Sequence, residues 1–224
     1  MITANFVKKA LMAATGATVV TLAGGQAAEA VVFNLGGSNL TTSSISDTVA
    51  GISYTATGFS TNPLNPNDRN VVRRSNGLGV QFSGFFGSLE NPQIDGSGFN
   101  ETLQLAFNKQ ISLISATFSR VGNNDDFRLL VNGNQLVSAD IPGGNILDLG
   151  NGTFDFTSFA RADRTGSVLG FTVAGNNDDY FLRSIEVEPV PEPLTILGSL
   201  SALGAGTLMK KQHDKRQNKV KSDA

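Results

Sequence analysis

Apolar and polar residues alternate with a period of two through the middle of this chain, as they do in a β-strand with one buried face. The alternation is clearest at residues 102–107, 127–131, 153–156, 170–173 and 184–188. Further strand candidates are residues 31–35, 52–59, 77–82, 113–120 and 135–141. A helix would need apolar residues every three or four positions, and no stretch of the middle region has that spacing convincingly. The pattern therefore predicts an all-β domain.

Clusters of Gly, Asn, Asp and Pro separate the strand candidates, at residues 122–124, 132–134, 143–145, 150–152 and 175–177. Asn132-Gly133 lies between two apolar runs and predicts a hairpin turn. The long polar stretch from Thr61 to Asn76 is interpreted as a loop. Some ten short strands with turns about every 8–12 residues favour an antiparallel two-sheet sandwich. A jelly-roll, lectin-like arrangement is the leading interpretation.

The N-terminus has the organisation of a secretory signal peptide. Lys8 and Lys9 precede the apolar stretch from Ala10 to Ala23, and Ala28-Glu29-Ala30 has the small-x-small form of a cleavage site. Cleavage by signal peptidase after Ala30 would leave Val31 as the first residue. The alternative is an N-terminal anchor that is not cleaved. Residues 1–30 are therefore assigned to targeting.

The C-terminus carries a second targeting pattern. Pro191 and Pro193 disfavour helix on either side of Glu192, so this segment is expected to be extended and accessible. Residues 194–209 contain no charge and would span about 24 Å as a helix, somewhat less than the ~30 Å hydrocarbon core of a membrane. Residues 210–224 are rich in lysine, which favours the cytoplasmic side. The alternative is a single-pass anchor that is not processed.

The region between the two signals, residues 31–188, is long enough for one domain with its own core. Residues 31–190 contain nine basic side chains against fifteen acidic ones, and only one of the bases is lysine. This acidic balance gives no electrostatic basis for binding nucleic acid. The sequence contains no cysteine, so neither disulfides nor thiolate metal sites are available.

Enzyme chemistry has few candidates in this region. The single histidine, His213, lies in the C-terminal tail, which excludes Ser-His-Asp and Cys-His hydrolysis and the usual zinc chemistry from residues 31–188. A carboxylate pair for glycoside cleavage could be nominated at Asp95 with Glu101 or at Asp125 with Asp126. Acids in Gly- and Asn-rich turns give no sign of the burial that raises the pKa of a general acid. We therefore expect no catalytic residues.

One motif occurs twice. Val121-Gly122-Asn123-Asn124-Asp125-Asp126-Phe127 recurs as Ala174-Gly175-Asn176-Asn177-Asp178-Asp179-Tyr180. The simpler interpretation is a pair of similar loops whose Asn and Asp side chains cap their own turns. The alternative is a Ca²⁺ site, because carboxylates and amide carbonyls are hard oxygen ligands. The acids of that site would be Asp125, Asp126, Asp178 and Asp179. Asp95 and Glu101, in the loop at residues 95–101, are further candidate calcium ligands. The simpler interpretation of that loop is a Gly-rich turn that ends in a solvated Glu.

Sugar binding is a second functional class that the residues allow. The sequence has no tryptophan and two tyrosines, and most phenylalanines fall on alternating strand positions that favour core packing. Phe85 and Phe86 are adjacent, so both cannot enter one core if that segment is a strand. One of the two is a candidate contact for a sugar or a partner.

Pro191-Glu192-Pro193, the apolar run and the basic cluster together resemble the PEP-CTERM sorting signal of exported bacterial proteins. Short phrases within residues 91–96, 100–107, 114–120, 125–127 and 179–188 are similar to exported PEP-CTERM proteins of cyanobacteria and their relatives. The resemblance implies recognition by an exosortase and a location at the cell surface or in the extracellular matrix, associated with exopolysaccharide. It supplies no catalytic residues.

These observations predict a non-enzymatic exported protein with a structural or interaction role. Its domains would be a signal peptide (1–30), a β-sandwich (31–188) and a sorting signal (189–224), with a transient membrane anchor at 194–209. The expected partners are signal peptidase, an exosortase and extracellular polysaccharide. The alternative functions are a calcium-assisted carbohydrate-binding module and, less favoured, a glycan-acting enzyme.

Overall fold

The structure is a computed structural model that describes residues 29–84 and 91–191. These residues form strands joined by turns, with no helix among them. The strands are β1 (Val31–Asn34), β2 (Leu40–Thr42), β3 (Ser44–Val49), β4 (Ile52–Ser60), β5 (Arg69–Arg74), β6 (Gly77–Phe82), β7 (Ile94–Asp95), β8 (Glu101–Val121), β9 (Asp126–Val131), β10 (Asn134–Asp140), β11 (Gly150–Asp155), β12 (Thr165–Val173) and β13 (Asp179–Pro189). The prediction of an all-β domain is confirmed.

Strand β8 organises the pairing. Its first half pairs antiparallel with β4 and β12, and its second half pairs antiparallel with β13 and β11. The change of partner falls at Ile111 and Ser112, which lie opposite residues of both β12 and β13. The sequence predicted two strands here, at 102–107 and 113–120, because the polar residues 108–110 interrupt the alternation. The structure has one strand of 21 residues instead.

The remaining strands extend this arrangement on both sides. β13 also pairs with β1, β6 and β7, and β12 pairs with β9, which in turn pairs with β10. β5 pairs with β2, β4 and β6, and β3 pairs with β4. Every pairing among the described residues is antiparallel. The arrangement places the loops that follow β8 and β12 next to each other, since the strands they lead into pair with β12 and β8 respectively.

The turn between β9 and β10 confirms the predicted hairpin. Asn132 and Gly133 have positive φ angles of 49° and 83°, as a two-residue turn that matches the strand twist requires. Buried apolar side chains form one continuous core. Five phenylalanines lie at alternating strand positions that favour core packing, and four of them (Phe107, Phe118, Phe156 and Phe171) are buried. The fifth, Phe154, is half-buried against the same core.

The predicted loop over residues 61–76 is wrong in its second half, which forms β5. Val71 and Val72 are buried in this strand, but the charged residues around them hide the alternation. Gly150-Asn151-Gly152, predicted as a turn, forms the start of β11, where Gly152 approaches the backbone of Pro142 too closely for any side chain. The short strands β2, β3 and β7 were not predicted, because they bury few apolar side chains.

Candidate functional site

The two copies of the repeated motif form loops with the same internal hydrogen bond. We call residues 121–126 and 174–179 the twin loops. In the first, the Asp125 carboxylate accepts a hydrogen bond from the backbone N–H of Gly122, and in the second the Asp178 carboxylate accepts one from Gly175. Both aspartates are only 3% exposed. The prediction that these side chains cap their own turns is confirmed.

The twin loops lie side by side. The backbone N–H of Asp179 donates to Asp125 Oδ1 at 3.4 Å, and the backbone N–H of Ala174 donates to the carbonyl oxygen of Asp126 at 3.4 Å. The aromatic residues that follow the loops, Phe127 and Tyr180, are fully buried, and both rings contact the ring of Phe118. Each loop is therefore anchored by one aromatic ring in the core and linked to the other through its backbone.

Burial raises the pKa of three acids in the twin loops, namely Asp125, Asp126 and Asp179. The pKa of Asp125 rises from 3.8 to about 6, mainly because its carboxylate loses water, although the N–H groups of Gly122 and Asp179 oppose the rise. The nearby carboxylates of Asp179 and Asp178 raise this pKa further. Burial is also the largest cause of the raised pKa of Asp126 and of Asp179. Sequence patterns gave no sign of this burial. Asp125 is buried, whereas Asp126 and Asp179 are half-buried. The expectation that acids in these turns lack the burial of a general acid is therefore wrong for Asp125.

Strand β7 and the second twin loop enclose a cleft of about 520 Å³. We call it the acidic cleft, and its lining consists of short polar side chains, namely Asn91, Asp95, Ser97, Asn176, Asn177, Asp178 and Asp179. Asp95 lies directly opposite Asp179 in the pairing of β7 with β13. The acidic cleft thus brings together three of the six acids predicted as calcium ligands, and Asp125 adjoins them through the N–H of Asp179.

Side-chain amides hold the carboxylate of Asp179. Gln93 Nε2 donates to Asp179 Oδ1 at 2.6 Å, and Asn91 Nδ2 donates to Asp179 Oδ2 at 3.1 Å. The hydrogen bond from Gln93 opposes the rise in the pKa of Asp179. Sequence reasoning did not identify Asn91 or Gln93 as site residues, since they lie 88 and 86 positions before Asp179 and nothing local links them.

Glu101 takes part in a different cluster. Its Oε1 atom is 2.7 Å from Arg69 Nε, and its Oε2 atom accepts a hydrogen bond from the backbone N–H of Asp95. Arg69 also pairs with Asp68 at 2.8 Å, and the three side chains are at most 5% exposed. The solvated Glu of the simpler interpretation is therefore wrong. Both oxygens of Glu101 have protein partners, which reduces what a cation would gain there.

The described residues 29–84 and 91–191 contain no group of three or more acidic side chains arranged to hold a metal ion. Calcium binding by Asp95, Glu101, Asp125, Asp126, Asp178 and Asp179 stays a prediction. Phe85 and Phe86, the candidate ligand contacts, lie outside the described residues, as do Ala28, Glu192 and Pro193.

The two ends of the described domain lie together. β1 and β13 run antiparallel, so Val31 at the start of β1 is opposite Val187 near the end of β13. A cleft of about 430 Å³ lies at this end of the domain, and its lining includes Ala30, Val49 and Pro189. Ala30 and Pro191, the described members of the two predicted processing motifs, are both exposed.

Comparison with protein-family models and with curated proteins gives no match for this chain. Residues 29–84 and 91–191 contain no helix with the length and apolar character that crossing a membrane requires. The predicted span at 194–209 lies outside the described residues.

Proposed function

We propose that this chain is an exported protein of the cell surface or extracellular matrix with a structural or interaction role. The observation that supports the proposal is the position of the two domain ends. Val31 and Val187 are cross-strand neighbours, so the predicted signal peptide and the predicted sorting signal leave the domain from the same end. This geometry suits a domain that is tethered to one membrane through both ends before processing.

We also infer that the domain is a two-sheet sandwich of the jelly-roll type. The alternating burial of β4 and β9, with one buried face and one more exposed face, fits a strand that covers a core with one side. The long strand β8, which changes partners halfway along its length, fits a strand that turns the corner between two sheets.

A non-enzymatic role agrees with how the buried acids are used. Asp125 has the raised pKa of a general acid, but it is 3% exposed and its oxygens accept hydrogen bonds from backbone N–H groups. Glu101 is fully buried and paired with Arg69. These carboxylates hold loops and strands in place, whereas a glycosidase needs its acid within reach of the scissile bond.

The test is the fate of the full chain in a bacterium that has an exosortase. We expect the domain in the envelope or medium, an N-terminus at Val31, and loss of the C-terminal segment. Glu192→Gln together with Pro193→Ala should leave the C-terminal segment attached, while Ala28→Arg should block N-terminal cleavage. Recovery of the unsubstituted chain in the cytoplasm with its first residue still Met1 would overturn the proposal.

A second candidate function is calcium-assisted carbohydrate binding at the acidic cleft. It is favoured by the amides and carboxylates that meet there, since sugar hydroxyls and Ca²⁺ are both bound by such groups. A glycan array probed with and without chelator tests it. Binding that EDTA abolishes and that Asp178→Asn weakens would support this candidate, with Asp155→Asn, at an exposed position, as the control. Binding that is indifferent to EDTA would contradict it.

A further inference from the structure

A third cleft lies at the other end of β9 from the twin loops. It has a volume of about 490 Å³ and is formed between the β9–β10 hairpin and the segment that leads from β11 to β12. We call it the hairpin groove. The side chains that matter for its chemistry are Asn132, Asn134, Gln135, Phe159, Asp163 and Thr165. Its volume is within the range of about 300–1,000 Å³ found for small-molecule sites.

One wall of the hairpin groove is fixed by Asn132. Its Oδ1 atom accepts hydrogen bonds from the backbone N–H groups of Ser167 at 3.1 Å and Val168 at 3.2 Å. Its own N–H donates to the carbonyl oxygen of Val168 at 2.8 Å. The hairpin turn is therefore tied to β12, and this wall is already formed before any ligand arrives.

Local hydrogen bonds and one aromatic pair fix the opposite wall. Thr165 Oγ1 donates to the carbonyl oxygen of Arg161 at 2.6 Å, and the N–H of Asp163 donates to the carbonyl oxygen of Ala160 at 3.0 Å. The ring of Phe159 lies 6.4 Å from that of the fully buried Phe156, while Phe159 itself remains half-exposed. A groove with two preformed walls loses little conformational entropy when a ligand binds.

The hairpin groove also presents polar groups that have no internal use. In the described part of the chain, no hydrogen bond or ion pair within the protein engages the side chains of Asn134, Gln135 or Asp163. Asn134 and Gln135 are exposed on β10, an edge strand that pairs with β9 alone among the described strands. Two amides and a carboxylate can together donate and accept several hydrogen bonds to a ligand.

The charge of the lining narrows the ligand class. Among the described residues, no lysine or arginine lines the groove, so a phosphate, sulfate or acidic sugar would find no counter-charge from them. Asp163 is the one acid among the described lining residues, and a single carboxylate is too few for a calcium site. Amides and a carboxylate beside one half-exposed aromatic ring suit a neutral pyranose, whose hydroxyls need hydrogen bonds and whose C–H face packs on a ring.

We propose that the hairpin groove binds neutral carbohydrate, without a metal ion, as a short oligosaccharide or a segment of a polysaccharide. The proposal goes beyond the exported surface role and does not depend on it, since the groove would bind sugar wherever the chain resides. It is also separate from calcium-assisted binding at the acidic cleft, which lies at the other end of β9.

Isothermal titration of the full chain in a detergent without a sugar headgroup tests this. The probes are cellopentaose, maltopentaose and mannopentaose, with pentagalacturonate as the acidic comparison. We expect saturable binding of at least one neutral probe in the presence of EDTA. Phe159→Ala and Gln135→Ala should each weaken it by about tenfold, which is the loss of one good contact. Phe159→Tyr should retain binding, and Asp178→Asn in the acidic cleft should leave it unchanged.

The proposal fails if none of the neutral probes binds, if pentagalacturonate binds as tightly as they do, or if the Gln135→Ala variant binds unchanged. Gln135 is exposed, so its replacement tests the groove even if Phe159→Ala disturbs the fold. Localisation of the chain would be unaffected by any of these results, which keeps this test separate from that of the proposed function.

Discussion

Val31 lies directly opposite Val187 in the antiparallel pair of β1 and β13, and both side chains are buried. If signal peptidase cleaves after Ala30, the mature chain begins within this sheet. A protease needs an extended and accessible substrate, so we expect cleavage before β1 docks on β13. The partner strand β13 lies about 150 residues further along the chain, which delays docking until most of the domain has been translocated.

The docking of β1 should depend on Phe33. This side chain is 1% exposed and lies edge-to-face on Tyr54, with 5.3 Å between the ring centroids. Phe33→Ala is expected to lower the free energy of unfolding by about 3–5 kcal/mol, as measured by urea denaturation. Val32→Ala is the matched control, because Val32 points outward at 57% exposure and should change stability by less than about 0.5 kcal/mol. Equal effects of the two variants would contradict the packing of β1.

The buried cluster of Asp68, Arg69 and Glu101 should be sensitive to loss of its cation. Arg69→Leu leaves two carboxylates, both at most 5% exposed, without their counter-charge. We expect a loss of about 3–5 kcal/mol in the free energy of unfolding, since breaking a buried pair strands the remaining charge.

Arg161→Leu is the control for that variant. Arg161 pairs with Glu188 at 3.1 Å, but its side chain is 52% exposed, so the expected loss is about 0–1 kcal/mol. Thermal denaturation followed by circular dichroism measures both. If Arg69→Leu and Arg161→Leu lost the same amount of unfolding free energy, the buried cluster would contribute little to the stability of the domain.

The parts of the fold that could be predicted from the sequence are those where local pattern and tertiary burial agree. β4 and β9 alternate in sequence and in burial, and Asn132-Gly133 specifies its turn through φ angles that few other residues adopt easily. β5 was not predicted because the strands that pair with it, rather than its own sequence pattern, bury Val71 and Val72. The charged residues around these two valines are typical of a loop.

The candidate site was only partly predictable for a similar reason. The repeated motif identified the twin loops and their capping aspartates, since that hydrogen bond spans three residues. The burial of Asp125 depends on Asp179, 54 residues away, and the partner of Glu101 is Arg69 on another strand. Such long-range contacts leave no trace in the local spacing of residues, which is why the pKa of Asp125 could not be anticipated.

The hairpin that borders the groove should depend on Asn132. At this position φ is 49°, and the side chain accepts two backbone hydrogen bonds from β12. Asn132→Ala removes the acceptor and leaves a residue that tolerates this backbone poorly, so we expect a loss of about 1–3 kcal/mol. Asn134→Ala, at an exposed position two residues later, should change stability by less than about 0.5 kcal/mol. Amide hydrogen exchange at Ser167 and Val168 should speed up in the first variant alone.

The stability of the domain should fall as pH rises through the range set by Asp125. The pKa of this group is about 6 in the folded chain against an ordinary value of 3.8, so the folded state holds the proton more tightly. Between about pH 4 and pH 6 the folded state therefore binds more protons than the unfolded state, and the free energy of unfolding decreases with pH. Asp125→Asn keeps an acceptor for the N–H of Gly122 without the charge. Its stability relative to the unsubstituted chain should increase from pH 4 to pH 6 and then level off.

Asp155→Asn gives the opposite sign and serves as the control. The pKa of Asp155 is lowered by its hydrogen bonds from the backbone N–H and the hydroxyl of Thr157, so the ionised form is favoured in the folded state. Its stabilising contribution is present above about pH 4 and is lost as the pH falls through the folded pKa. Urea denaturation of both variants across this range measures the difference.

Asp126 and Asp179, whose pKa values burial also raises, should leave some pH dependence in the stability of Asp125→Asn. If the free energy of unfolding of Asp125→Asn changed with pH in parallel with that of the unsubstituted chain, the pKa of Asp125 would be the same in the folded and unfolded states. That result would contradict the prediction.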